Sequence, residues 1–113
     1  MDPKHFEIKE YMIIWRQLEI QNFNGITAKV RAIVRCTGGD DAMDVFFLSE
    51  DSAYPDPFVD PKEKKGYMFL NIRDIMAFVD MLRNEKPIFG HLRPDRPEWM
   101  SVTTTKEPVG EGE

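Results

Sequence analysis

The chain has 113 residues, of which 42% are hydrophobic, and a formal net charge of −5. This length supports one domain with a single apolar core and is too short for two such domains. The negative charge disfavours general nucleic-acid or membrane-surface binding, which needs clustered Lys and Arg, although a local basic patch is compatible with it. We predict one domain over residues 1–106 and a disordered acidic tail over residues 107–113.

Cysteine content and hydropathy bear on the cellular compartment. Cys36 is the only cysteine, so the chain has no internal disulfide and no cysteine-rich metal site, which favours a reducing compartment. No run of about 18 apolar residues is present, and the N-terminus, MDPKHFEIKEYM, lacks the hydrophobic centre of a signal peptide. We therefore expect a cytoplasmic protein that does not associate with membranes.

Two long strands open the chain. Apolar side chains occupy every second position from 26 to 36, a pattern typical of a half-buried strand. Residues 6–22 fit helical spacing as well as alternation, and the neighbouring strand favours pairing in a hairpin. We predict strands at about 11–22 and 26–37, with the first few residues forming an extension or a short helix.

The register of this hairpin depends on the length of its loop, Phe23-Asn24-Gly25. A two-residue Asn-Gly loop would place Glu19 opposite Val30 and so put a charge on the core face. A three-residue loop with Gly25 in the left-handed region instead pairs apolar residues along the whole hairpin and sets Glu19 opposite Lys29. We therefore predict the three-residue loop.

A third strand follows the turn at residues 38–41 and covers residues 42–49. Its register places Ala32 opposite Phe47 on the core face, and Arg35 opposite Asp44 on the other face. The same register pairs Ile33 with Phe46 and Arg31 with Leu48. The next segment, residues 50–65, contains three prolines and many charges without any period, so we predict a solvated loop and no metal site.

One helix is predicted within residues 70–86, after a short fourth strand at residues 66–70. Asn71 is a suitable N-cap, and the side chain of Asp74 can accept a hydrogen bond from the Asn71 amide in return. Pro87 ends the helix. The apolar stripe that faces the core consists of Ile72, Ile75, Met76, Val79 and Leu82, widened by Phe78.

A closing hairpin is predicted at residues 88–93 and 99–105, around the Pro-flanked turn at 94–97. The predicted fold is therefore α+β, an antiparallel β-sheet in the order β-β-β-β-α-β-β with one helix packed on one face. We call the sheet face away from the helix the second face.

The second face is predicted to be apolar at its centre and basic at its margin, which is unusual for a face open to water. The terminal hairpin or the long loop would hide it by folding over it. If neither segment covers it, the second face is a binding surface. Its residues are Trp15, Lys29, Arg31, Ile33, Arg35, Phe46 and Leu48.

The predicted function is that of a non-enzymatic interaction domain that forms a homodimer or binds a protein partner through this face, without a cofactor. The alternative partner is single-stranded nucleic acid, because exposed aromatic rings beside arginines can stack bases and hold phosphates. Four strands followed by a helix over residues 11–86 resemble, in element order alone, the Whirly-type and Pur-repeat single-strand binding domains.

A third possibility is a small-molecule or enzymatic site near His91, in the segment GHLRPDRPEW. A charged hairpin tip with Arg–Asp pairing is the simpler interpretation of this segment, because no nucleophile accompanies the histidine. His5 lies far away in the sequence, and no pattern brings it close to His91. No catalytic residue is assigned.

Overall fold

The computed structural model describes residues 1–105 and has an α+β fold, as predicted. In chain order its elements are β1 (Lys4–Glu7), β2 (Glu10–Phe23), β3 (Ile26–Gly38), β4 (Asp41–Leu48), β5 (Phe58–Asp60), β6 (Lys65–Asn71), α1 (Ile75–Asn84), β7 (Phe89–Leu92) and β8 (Ser101–Thr103). The acidic tail predicted at residues 107–113 lies outside the described residues. Within those described, the single α-helix is too short to cross a membrane.

The strands form two sheets, where one had been predicted. The larger sheet has the order β2-β3-β4-β6-β5, and the smaller has the order β1-β7-β8. Most pairs are antiparallel, but β4 and β6 are parallel, so that Phe46 lies opposite Phe69. The predicted element order is therefore incomplete: β1 and β5 are additional strands, and the order over residues 11–86 is not the one on which the resemblance to single-strand binding domains rested.

The helix begins with a 3-10 turn, Ile72–Asp74, and continues as α1. Asn71 Oδ1 accepts a hydrogen bond from the Arg73 amide at 2.9 Å, which confirms the cap, whereas Asp74 makes no capping bond. Ile75, Val79 and Leu82 are buried as expected. Met76 is 68% exposed, so its assignment to the core was wrong, because the covered stripe is narrower than the sequence suggested.

The first hairpin has a two-residue loop, Asn24-Gly25, so the predicted three-residue loop was wrong. Asn24 and Gly25 both have positive φ angles, 52° and 93°, as a type I′ hairpin turn requires. Glu19 therefore lies opposite Val30, and the predicted pairing of Glu19 with Lys29 was wrong. The register shifts between Trp15 and Glu19, so that beyond the shift Trp15 lies opposite Ala32.

A second irregularity, between Val30 and Ala32 on β3, accompanies this bulge. Val30 pairs with Leu48, and the predicted pairing of Arg31 with Leu48 was wrong. Each bulge changes which alternate residues face the helix, because side-chain direction in a strand has a period of two. The predicted pairing of β3 with β4 at Ala32, Ile33 and Arg35 is confirmed.

Two apolar clusters result, one on each face of the larger sheet. The cluster on the helix side includes Ala32, Val34, Phe47, Ile75 and Val79, and the ring of Phe47 lies 5.7 Å from that of Phe78 on α1. The cluster on the second face consists of Phe23, Ala28, Val30, Ile33, Phe46 and Leu48. The protein thus uses both faces of the sheet to bury apolar side chains.

Candidate interaction surface

The apolar centre of the predicted binding surface is buried. Ile33, Phe46 and Leu48 are all inaccessible to solvent or nearly so. The ring of Phe23, at the tip of the first hairpin, lies 5.0 Å from Phe46 and 4.9 Å from Phe69 between centroids. The tip of the first hairpin therefore covers part of the second face. Phe58 of β5 packs against the same cluster, so the segment at residues 50–65 also covers this face, and the prediction that it is only a solvated loop was partly wrong.

Aromatic rings complete this cover. Phe46 stacks against Phe69 at 5.5 Å, and Phe58 of β5 stacks against Tyr67 at 4.4 Å. Aromatic pairs at such separations contribute about 0.5–1.5 kcal/mol beyond the burial of their area. The second face is consequently part of the core, which is the covered alternative of the sequence analysis.

The basic residues at the margin of this face already have partners or lie partly buried. Lys29 Nζ contacts Asp51 Oδ2 at 2.8 Å, and this hydrogen bond is the main reason why the pKa of Asp51 is lowered. Arg35 binds Asp44 through two hydrogen bonds of 2.9 and 3.0 Å. Arg31 stands at the β3 bulge, where its Nε is buried without a hydrogen-bond partner among the described residues.

Asp44 is a buried carboxylate between two cations. It is 1% exposed and accepts hydrogen bonds from Arg35, while Lys65 Nζ lies 2.9 Å from Oδ2. The hydrogen bond with Asp44 raises the pKa of Arg35. Burial lowers the pKa of Lys65, but the hydrogen bond and charge of Asp44 outweigh burial, and the pKa is raised. This group connects β3, β4 and β6 and gives each of its three charges an oppositely charged neighbour.

Trp15 lies on the opposite face from Phe46. Because it pairs with Ala32, its side chain shares the helix side of the sheet, but α1 packs over β4 and leaves Trp15 58% exposed. Its neighbours along β2 are also exposed. The exposed apolar residues of this strand are Tyr11, Met12, Ile13, Trp15, Leu18 and Ile20.

Strand β2 is also an edge. It pairs with β3 on one side, and its other side has no strand partner among residues 1–105. A long apolar edge strand offers unpaired backbone N–H and C=O groups to another chain. The sequence signal for this surface was the run of five apolar residues from 11 to 15, more than a half-buried strand requires.

The third predicted location, around His91, contains a histidine pair that the sequence did not reveal. His5 on β1 lies directly opposite His91 on β7, with ring centroids 5.8 Å apart. His91 Nε2 is 2.7 Å from Thr103 Oγ1. Burial lowers the pKa of His91, and the charge of His5 lowers it further.

The remainder of that segment forms a charged turn. Arg93 binds Asp95 at 3.0 Å, as expected for a hairpin tip, and the guanidinium groups of Arg93 and Arg96 lie 5.2 and 4.6 Å from the centre of the Trp99 ring. A groove of about 550 Å³ lies elsewhere, between residues 7–11 and 82–88. No group of three or more metal-ligating side chains occurs within residues 1–105.

Comparison with models of protein families, with curated proteins and with solved structures finds no significant match. The fold and the surface together define a small α+β domain with one long, exposed, apolar edge strand.

Proposed function

We propose that this chain is a non-enzymatic interaction domain that self-associates through the outer edge of β2. The observation that carries the proposal is the exposure of Tyr11, Met12, Ile13 and Trp15, with Ile14 half-buried among them, on a strand that has no partner on its outer side among the described residues. The surface differs from the predicted one, since it lies on the edge of the sheet and not on the second face.

The segment lacks the features that normally protect an edge strand. Such strands usually carry lysines, prolines or bulges that prevent pairing with another chain. Residues 11–15 contain no charge and no proline, and the bulge and the charges Arg16 and Glu19 come only after them. Pairing is therefore favoured at residues 10–15 and disfavoured beyond them.

A second copy of the chain fits this edge. A two-fold axis perpendicular to the sheet pairs residues of the same parity, because both copies then present the same side chains to the same face. With Ile13 on the axis, Tyr11 lies opposite Trp15 of the partner subunit and Met12 lies opposite Ile14 of the partner subunit. The same register brings Glu10 near Arg16 of the partner subunit, an opposite-charge pair. All the directly opposed residues are then complementary.

Sedimentation velocity over a range of concentrations tests the proposal. We expect the wild type to be a dimer, and Ile13→Lys to be a folded monomer, because a lysine at the axis would face a second lysine. The matched control is Ile20→Lys, which changes a 57% exposed residue of the same strand beyond the bulge and should leave the dimer intact. A wild type that is monomeric at every concentration, or equal dissociation of both variants, would contradict the proposal.

Single-stranded nucleic acid is the alternative partner, and the basic and aromatic residues that suggested it offer less support in the fold. Lys29 and Arg35 are engaged with carboxylates, and Phe46 is covered by Phe23. Titration with an oligonucleotide at low salt, followed by tryptophan fluorescence, tests this alternative. A cytoplasmic location, expected from the cysteine content, stays a prediction.

A further inference from the structure

The two histidines of the chain come together across the smaller sheet. His5 and His91 are the only histidines in the sequence, and they are separated by most of its length. Pairing of β1 with β7 places them directly opposite each other. Two side chains in such positions lie on the same face of the sheet, and their Cβ atoms are about 4.5–5.5 Å apart.

The separation of the two rings suits a shared metal ion. Transition-metal ions bind imidazole nitrogen at about 2.0–2.1 Å, so two rings on one tetrahedral ion have centroids about 5–6 Å apart. The observed separation of 5.8 Å lies in this range, and the planes are inclined by 34°. We expect rotation of the two side chains to direct one nitrogen of each ring at a common point.

Thr103 provides a second contact that fits this arrangement. Its hydroxyl oxygen lies 2.7 Å from His91 Nε2, on the third strand of the same sheet. Metal-binding histidines usually donate their second ring N–H to an oxygen, which fixes the tautomer and leaves the other nitrogen for the ion. With Nε2–H donating to Thr103, Nδ1 of His91 is the nitrogen that binds.

The charged neighbours are compensated by carboxylates. Lys4 and Arg93 line the same shallow cavity of about 190 Å³ as the two histidines. Lys4 Nζ lies 2.9 Å from Asp41, and Arg93 lies 3.0 Å from Asp95, so both cations are paired. Among residues 1–105 the cavity is lined by imidazole nitrogen and by no carboxylate, a donor set that suits zinc, nickel or copper better than calcium or magnesium.

We infer that His5 and His91 form a binding site for one divalent transition-metal ion, with water in the remaining coordination positions. The ion connects β1 to β7 and so fixes the N-terminal strand to the smaller sheet. This site is separate from the β2 edge and does not depend on self-association.

Titration of the untagged protein with zinc chloride at neutral pH, followed by calorimetry, measures the binding. We expect one zinc ion per chain. Both His5→Ala and His91→Ala should lose more affinity than the roughly 10–100-fold typical for loss of an outer-shell partner, because each removes a ligand. Thr103→Val keeps both imidazoles and is expected to weaken binding less than either histidine variant. Circular dichroism of each variant shows that the fold is retained.

Copper(II) used as a paramagnetic probe gives an independent measurement, because it broadens the NMR signals of the rings that it contacts. Simultaneous broadening of both imidazoles supports the inference. Broadening of one ring alone, zinc affinity unchanged in His5→Ala, one ion bound for every two chains, or a response of the rings to inorganic phosphate in place of metal would each overturn it.

Discussion

Trp15 lies directly opposite Ala32 on the helix side of the larger sheet, while Phe46 lies on the reverse side beneath the ring of Phe23. The two aromatic residues that the sequence placed together are therefore separated by the thickness of the sheet. The bulge in β2 causes this separation, because it changes the parity of the strand between Trp15 and Glu19. Trp15 becomes part of an exposed edge strand, and Phe46 becomes part of the core.

Removal of the Phe23 ring is expected to destabilise the protein although the residue belongs to a hairpin tip. Phe23 is 6% exposed and contacts Phe46 and Phe69, so Phe23→Ala should lower the free energy of unfolding by about 3 kcal/mol. Urea denaturation measures the change. Ile26→Ala, on the exposed partner of Phe23 across the hairpin, serves as the control and should cost far less. Equal losses in the two variants would show that the hairpin tip does not cover the second face.

Replacement of Asp44 is expected to be costly because it leaves two cations without their carboxylate. Removal of one member of a buried charge group typically costs about 3–5 kcal/mol, and partial exposure of Arg35 and Lys65 places Asp44→Ala near the lower limit, about 3 kcal/mol. Chemical denaturation at neutral pH tests this value. Asp95→Ala removes an exposed carboxylate that also pairs with an arginine, and its stability should stay close to that of the wild type. An Asp44→Ala variant as stable as Asp95→Ala would contradict the structural role.

The Cys36 thiol is expected to be unreactive in the folded protein. Burial raises its pKa from 9.0 to about 12, and the charge of Asp44 adds to the shift. Because the pKa is raised on folding, the protonated thiol is favoured, and its contribution to stability is complete below pH 9 and decreases as the pH rises towards 12. Reaction with a disulfide reagent at pH 8 should be slow in buffer and fast in denaturant. A fast reaction under native conditions would show that the thiol is accessible.

Substitution of Gly38 is expected to weaken the contact between β3 and the end of β1. A Cβ atom at this position would overlap the backbone carbonyl oxygen of Glu7, which cannot move without displacing the strand. Gly38→Ala should therefore cost about 1–3 kcal/mol, as overpacking usually does. In Gly66→Ala the new atom would meet the side chains of Leu92 and Met100, which can adjust, so the cost should be smaller. Thermal unfolding distinguishes the two variants, and a larger effect at Gly66 would contradict this account.

The sequence predicted those parts of the fold in which local pattern and tertiary packing agree. The helix was found because Ile75, Val79 and Leu82 recur at its period, and the pairing of β3 with β4 was found because a short turn sets it. The pairing of β1 with β7 depends on contacts between distant parts of the chain, for which a single sequence contains no local signal. The proximity of His5 to His91 was not predicted for the same reason.

The candidate surface was missed for a different reason. A bulge leaves no mark on the alternation of Leu18, Ile20 and their neighbours, so the sequence pattern favours the loop length that keeps a regular ladder. The same pattern disfavours Glu19 opposite Val30, because this pairing would put a charge on the core face. In the structure Glu19 stays partly exposed on the edge strand and pairs with Arg16 at 3.0 Å, so its charge is not buried.

The parallel pairing of β4 with β6 has a consequence for synthesis of the chain on the ribosome. The first three strands of the larger sheet are joined by tight turns and can pair as soon as they emerge, whereas β6 follows only after residues 49–64. Until β6 is available, β4 is an unpaired edge of the three-stranded intermediate, and it carries Phe46 and Phe47. A chaperone that binds this protein during synthesis should therefore bind it after residue 48 has left the ribosome and before β6 has done so, when the intermediate exposes the most apolar surface.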